Sequence, residues 1–311
     1  MSVGTASGKV ILFGEHAVVY GRPAIAVPVH DRQATATVER ASPGSGILLQ
    51  AEDLGQRYQL SGASQDDPLG LIVRLTLEAL EVSSHQDLTV TVHSTIPIAS
   101  GLGSGAAVSA AVVRALATHF DGELNPTQTS ELVYQTEVIH HGTPSGIDNT
   151  VVAFERPVYF VKGQPPECFR VGHPFHLLIG GTGIPSSTKA AVADVRQGWE
   201  ANRARYESVF DAIGRIADEG RRAIKGGDVT AIGPLMDRNQ KLLREIGVSS
   251  PELEQLISAA KEAGARGAKL SGAGRGGNMI ALVAQGTAKR VAAALRRANA
   301  EEVITTTVSN L

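Results

Sequence analysis

Apolar residues fall in short runs through the first third of the chain: 10–13, 25–29 and 33–38 read as strands, and 88–92 alternates apolar and polar side chains as a half-buried strand does. That third therefore reads as mostly β. Helical spacing predicts helices over 69–80, 104–118 and 125–140, the last opening with Asn125 as N-cap, Pro126 at the first helical position and Gln128 at the capping-box position. Residues 162–174 hold three prolines and two glycines between the apolar runs 158–161 and 176–179, so the domain junction is expected there, dividing the chain into 1–172 and 173–311. Beyond it, 187–225 is helical with one break, and 228–246 and 250–263 follow with capping residues at their starts. Strands at 269–271 and 278–283, a helix over 287–298 and a strand at 303–308 complete an α-β-β-α-β ending consistent with a ferredoxin-like sandwich. The class is α+β, with no internal repeat or low-complexity segment.

Length and charge narrow the partners. A chain of 311 residues suits about two domains, and 29 basic against 31 acidic residues leave no basic field for nucleic acid. Cys168 is the single cysteine, so an intramolecular disulfide or a cysteine-based metal site is impossible and a reducing compartment fits. Lys9 is followed by only four apolar residues, too few for a signal-peptide core or a membrane span. The expectation is a cytoplasmic protein acting on small molecules, with no membrane partner and a homodimer as the assembly.

The most informative stretch is 96–107, Ile-Pro-Ile-Ala-Ser-Gly-Leu-Gly-Ser-Gly-Ala-Ala, where a glycine-rich bend feeds an Ala/Val-rich helix. Glycines let backbone N–H groups approach an anion, and a helix start adds unpaired N–H groups and a positive dipole end. Gly101, Gly103 and Ala106 also fit the dinucleotide fingerprint, with Asp121 at the distance of its ribose-binding acid. A dinucleotide fold needs a strand ending at the first glycine and a second strand carrying the acid. Pro97 interrupts the first, and 121–126 runs straight into another helix start, so a nucleotide triphosphate ranks above a dinucleotide. No Lys-Ser/Thr follows the glycines, which excludes the P-loop formula.

Three other segments carry candidate chemistry. Lys9 precedes a buried strand and Glu15-His16 follow it, but taken alone these residues read better as a snorkelling lysine and a plain turn. Glu137 and Asp148 flank a Gly/Pro/Ser bend; one could hold Mg²⁺ and the other orient or deprotonate an acceptor hydroxyl, against the reading of a solvated helix residue and a turn residue. Glu137, His140 and His141 invite a minor transition-metal reading, weakened because no second Glu-x-x-His pair exists on another helix. Residues 272–277 match G-x-G-x-x-G literally, but a strand follows instead of a helix, so a glycine-rich hairpin approaching a ligand is expected.

Together, the segments 9–21 (Lys-Val-Ile-Leu-Phe-Gly-Glu-His-Ala-Val-Val-Tyr-Gly), 97–107 and 269–277 (Lys-Leu-Ser-Gly-Ala-Gly-Arg-Gly-Gly) resemble the three ordered motifs of the GHMP kinases, the superfamily of galactokinase, homoserine kinase, mevalonate kinase and phosphomevalonate kinase. Their spacing covers nearly the whole chain. Residues 141–149 (His-Gly-Thr-Pro-Ser-Gly-Ile-Asp-Asn) are most similar to the mevalonate kinase branch, and Ala17-Val18-Val19 stand where a galactokinase has its sugar-binding Asp. The resemblance implies a ribosomal-protein-S5-like N-terminal domain and a ferredoxin-like C-terminal domain, with ATP and mevalonate in the cleft between them. It implies Asp148 as the base on the C5 hydroxyl, Lys9 as the cation that lowers that hydroxyl's pKa, and Glu137 as the Mg²⁺ ligand. Lys9, Glu15, His16 and Asp148 would line the mevalonate site. Ala99, Ser100, Gly101, Leu102, Gly103, Ser104, Gly105 and Ala106 would wrap the triphosphate, with Ser94 near the nucleotide and 271–277 closing over the cleft.

Two positions depart from the pattern. The family has a second serine before the Ala-Ala pair that donates its hydroxyl to Mg²⁺, where this chain has Gly105. Arg275 stands in a loop otherwise built of Gly and Ala, as a solvent-facing turn residue or an extra cation near phosphate. The rival activities are another kinase of the superfamily acting on phosphomevalonate or the mevalonate 3-position, and a catalytically silent nucleotide or metabolite sensor on the same fold.

Overall fold

The computed structural model describes residues 1–97, 100–141 and 144–310, with His140 and His141 described by backbone alone. The chain forms two compact units, one of residues 1–8, 32–97 and 103–155, the other of residues 9–31, 98–102 and 156–311. The expectation of an α+β chain holds in both.

The first unit is built on β1 (Ser2–Phe13) and β2 (Ala24–Arg40), whose chains run through both units, and on β3 (Ile47–Ala51), β4 (Gln56–Gln59), α1 (Pro68–Ala79), β5 (Leu88–Ser94), α2 (Ser104–His119), α3 (Pro126–His141) and α4 (Ile147–Phe154). The later half of β2 pairs antiparallel with β5, from Ala34 opposite Ser94 to Arg40 opposite Leu88; β5 pairs parallel with β3, and β3 antiparallel with β4. The two strands expected at 25–29 and 33–38 are one strand of 17 residues. α2 supplies the unit's core with alanines, and it runs so close to β1 that a Cβ on Gly4 would lie 2.3 Å from the Ala111 carbonyl oxygen. α3 begins with the expected capping box: Asn125 Oδ1 accepts the Gln128 N–H at 3.0 Å and Gln128 Oε1 accepts the Asn125 N–H at 2.9 Å. The end of α4 is pinned by Glu155, in the left-handed region at φ 51°, whose carboxylate accepts the Ser7 N–H (3.1 Å) and pairs with Arg114 (3.0 Å). Arg114 also donates to the Ala153 carbonyl at 2.9 Å, so α4 is held against both α2 and β1.

In the second unit the early half of β2 pairs antiparallel with β6 (Val158–Phe160), which pairs with β7 (Glu167–Cys168). The rest comprises β8 (Phe175–Gly181), α5 (Thr188–Ala201), α6 (Arg203–Gly226), α7 (Val229–Glu245), α8 (Pro251–Glu262), β9 (Gly267–Ser271), β10 (Asn278–Val283), α9 (Ala288–Arg297) and β11 (Glu302–Val308). The four strands form an antiparallel sheet in the order β11-β8-β10-β9, the ferredoxin-like arrangement that the α-β-β-α-β pattern predicts. The helical stretch after 187 breaks once, at Asn202. Phe210, Ile213, Leu243, Leu253, Leu270, Met279, Val291 and Leu295 pack the core of this unit.

The edge of β9 is covered by α7 in a way that sets the position of the whole strand. Asp237 Oδ1 accepts the Ala268 N–H at 3.0 Å and Gln240 Oε1 accepts the Leu270 N–H at 2.9 Å, so side chains of a helix complete the outer ladder of an edge strand. This close approach requires Gly233 and Gly267: a Cβ on either would meet backbone oxygen at 2.3 Å. β9 carries Lys269 and Ser271, both buried.

Candidate active site

In the second unit, Lys9 is 3 % exposed and its backbone N–H donates to the Leu102 carbonyl at 2.9 Å, which ties the glycine-rich segment to the start of the buried run Val10 to Phe13. The run ends at Gly14, at φ 100°, where a Cβ would strike Ala24 at 2.4 Å; only glycine turns the chain here. The turn places Glu15 in the interior, with its side chain fully buried and ion-paired to Lys269 Nζ. Burial pushes the Glu15 carboxyl up and the Lys269 ammonium down, while their mutual attraction opposes both shifts.

His16 occupies the left-handed region at φ 60°, and its Nε2 lies 2.9 Å from the Ala273 carbonyl oxygen. A carbonyl only accepts, so Nε2 is the protonated nitrogen and donates. Burial lowers the His16 pKa to about 4; the Ala273 carbonyl opposes that shift and the Arg275 charge adds to it. The folded state thus excludes a proton that the unfolded chain binds below about 6.5. Stability is fully present above pH 6.5 and falls as pH drops toward 4, by about 2 kcal/mol at pH 5 for this group. Urea titrations at pH 7.5 and 5 are expected to show this loss and to show it reduced in His16→Gln; equal pH dependence in both proteins would count against a buried neutral His16.

The third glycine-rich segment closes on the first. Ser271 Oγ accepts the Ile11 N–H (3.1 Å) and donates to the Ile11 carbonyl (3.0 Å), joining β9 to β1 by both of its functions. Gly274 and Gly276 have positive φ and lie where a Cβ would meet the Val248 and Ile184 carbonyl oxygens at 2.0 and 2.7 Å. Asn278 Nδ2 donates to the Ser100 carbonyl at 2.6 Å, a second anchor for the expected phosphate segment. Arg275 is an exposed turn residue in the left-handed region at φ 59°, as its plain reading has it, and its charge pairs at the surface with Asp194 on α5.

In the first unit, Ser94 ends β5: its N–H donates to Asp53 at 2.6 Å and its Oγ accepts the Ile96 N–H at 3.1 Å, bending the chain toward the glycine-rich segment. α2 is capped by Gly103 in the left-handed conformation with no side-chain cap, and its first turn has no acidic residue. The Ala107 N–H makes the first helical bond, to the Gly103 carbonyl at 2.9 Å, so the amides of Ser104, Gly105 and Ala106 have no helical acceptor. Those amides and the helix dipole form an anion cradle. α3 lies against α2 through a 3.0 Å hydrogen bond between the Ser109 and Thr136 hydroxyls, and Glu137, 3 % exposed, is the residue after Thr136.

Asp148 is half-buried in the first turn of α4, which follows Gly146 at φ 93°, whereas a turn was the plain reading of the sequence. A carboxylate at a helix N-terminus sits in a favourable field. Asn149, next to it, donates from Nδ2 to the Ser130 carbonyl (3.1 Å) and hydroxyl (2.9 Å), holding α4 to α3.

Each unit therefore gathers its own set. Lys9, Glu15, His16 and the Ser100 to Leu102 stretch belong to one, and Ser94, Gly103 to Ala106, Glu137 and Asp148 to the other. Ala99 and the side chains of His140 and His141 lie outside the described residues. Among the described residues no three His, Cys, Asp or Glu side chains converge as a metal cluster. The donor set still fits Mg²⁺: the buried carboxylate of Glu137 and the hydroxyl of Ser104 are hard oxygen donors of the kind that would suit it, with water and phosphate oxygens supplying the rest. Lys269 and Asn149 were missed as supporting residues. The signal available was a lysine set between the apolar residues Ala268 and Leu270.

Residues 70–156 match the GHMP kinases N terminal domain and residues 221–301 the GHMP kinases C terminal domain, which defines the class. The chain is 34% identical to the mevalonate kinase of Thermococcus sibiricus and 35% identical to that of Pyrococcus horikoshii, in each case over 97% of this chain and 94% of the relative. Its structure superposes on L. major mevalonate kinase in complex with R-mevalonate with a TM-score of 0.86 at 28% identity, covering 99% of this chain and 96% of that one. The chain belongs to the GHMP kinases and, within them, to the mevalonate kinase family.

Proposed function

We propose that the protein transfers the γ-phosphoryl group of ATP to the C5 hydroxyl of mevalonate, yielding 5-phosphomevalonate and ADP. The observation that carries this reading is the 34% identity to the T. sibiricus enzyme across 97% of the chain, since it spans both the α2 cradle and the residues proposed to act on the acceptor. The acceptor oxygen attacks the γ-phosphorus in line, the bond to the bridging β–γ oxygen breaks, and the acceptor proton passes to Asp148. Lys9 stabilises the alkoxide character of the attacking oxygen and the charge on the transferring group. The amides of Ser104, Gly105 and Ala106 receive phosphate oxygens, and the Gly14–His16 turn binds the acid. The domains proposed on the family pattern remain 1–172 and 173–311.

Glu137 would hold Mg²⁺, with the Ser104 hydroxyl or water in place of the serine that the family has at position 105. When bound, Mg²⁺ neutralises phosphate charge. Restoring that hydroxyl with Gly105→Ser is expected to lower the Mg²⁺ concentration for half-maximal activity by about tenfold, on the scale of one added ligand. An unchanged Mg²⁺ titration would show that the site has no need of it. A panel of ATP with mevalonate, phosphomevalonate and 3-phosphorylatable acids tests the reaction itself. Turnover of phosphomevalonate but not mevalonate would reassign the substrate, and no turnover of any of them would favour a sensor.

A further inference from the structure

The pair Glu15–Lys269 joins residues 254 positions apart and is the most deeply buried ion pair among the described residues, with both side chains at 0 % exposure. A buried pair of this kind contributes little net stability compared with apolar residues of the same volume, so its retention calls for another reason. Its surroundings supply one. Glu15 Oε1 receives Lys269, while Oε2 receives no hydrogen bond among the described residues, so Lys269 is the principal partner that orients the carboxylate, with the Glu15 backbone and the Lys9 charge acting on it to a smaller extent. Lys269 Nζ also donates to the Leu270 carbonyl, which anchors the cation to the backbone of β9. β9 is itself located by Asp237 and Gln240 of α7.

Three links consequently run from β9 and the loop after it to β1 and its turn: Lys269 to Glu15, Ser271 to Ile11, and Ala273 to His16. The Lys269 link meets the turn at its centre, between Gly14 at φ 100° and His16 at φ 60°. A non-glycine residue at positive φ costs of order 1–3 kcal/mol and persists only where its surroundings over-determine it.

We propose that Lys269 is a positioning residue for the acceptor: by holding the buried Glu15 carboxylate it keeps the Gly14–His16 turn in its binding conformation. This rests on the proposed reading in which that turn binds the acid. Lys269 does not touch substrate and acts through Glu15 and His16. The phosphate cradle at α2 is built from other bonds, so the effect is confined to the acceptor side.

The test is steady-state kinetics of the full chain with mevalonate and ATP, in wild type, Lys269→Met and Glu15→Gln/Lys269→Met. Lys269→Met is expected to raise KM for mevalonate about tenfold or more while KM for ATP stays within about twofold, a split that general loosening of the fold does not produce. Lys269→Met leaves a buried carboxylate without its cation, so its melting temperature falls; the double variant removes both charges and recovers it, yet keeps the raised mevalonate KM. If the single variant does not fold, Lys269→Gln, which removes the charge but keeps a donor for the Glu15 carboxylate, carries the test with the same expected split between the two KM values. A folded variant with wild-type KM for mevalonate, or with both KM values shifted in parallel, would overturn the inference. Absence of mevalonate turnover by wild type would instead overturn the underlying reading, and this inference with it.

Discussion

Asp148→Asn is expected to lower kcat for mevalonate phosphorylation by about 10³-fold, about 4 kcal/mol of transition-state stabilisation, with little change in either KM. The amide keeps the shape of the carboxylate, so α4 retains its start at Gly146 and its attachment to α3 through Asn149 and Ser130. What is lost is a group able to accept the hydroxyl proton. Rapid-quench measurement of the chemical step, with circular dichroism to confirm folding, checks the prediction. Turnover equal to wild type would remove Asp148 from the role of base, and a raised mevalonate KM at unchanged kcat would make it a binding residue only.

Lys9→Met is expected to reduce kcat by about 10²- to 10³-fold, the range for removing one preorganised charge from a developing anion. Methionine replaces the apolar stem of a residue that is 3 % exposed, and the backbone bond to Leu102 does not depend on the side chain. The glycine-rich segment therefore keeps its tether, and ATP binding is expected to weaken far less than kcat. An Arg at this position is not a conservative rescue, because its wider planar head does not fit where a compact ammonium was buried. If ATP binding measured by calorimetry falls as steeply as kcat, Lys9 holds the nucleotide and does not act on the transition state.

The secondary structure around these two residues was legible because it is written in local chemistry. The capping box at Asn125 and Gln128, the glycines before α2, and the α-β-β-α-β order after 250 each depend on residues within a few positions of one another. Elements with weak local signals were lost: β3 and β4 span 5 and 4 residues, and α4 follows directly on a Gly/Pro/Ser bend that reads as loop. The sequence divides β2 at His30 to Arg32, where the apolar run stops, although pairing on both halves makes it one strand.

The candidate chemistry divides in the same way. By itself the sequence determined the order of the three glycine-bearing motifs and the helix start that offers amides to an anion, since these follow from residue type and short spacing; Lys9, Glu137 and Asp148 stand out only through the family resemblance of the motifs around them. Tertiary structure alone decided that Glu15 is buried against Lys269, that Ser271 locks β9 to Ile11, that Arg275 is engaged by Asp194, and that Asp148 stands at a helix start. The physical reason is range. Backbone conformation answers to neighbours within a turn or two of chain, whereas burial, charge pairing and the shifts that follow from them depend on which distant segments the packed core brings against each other.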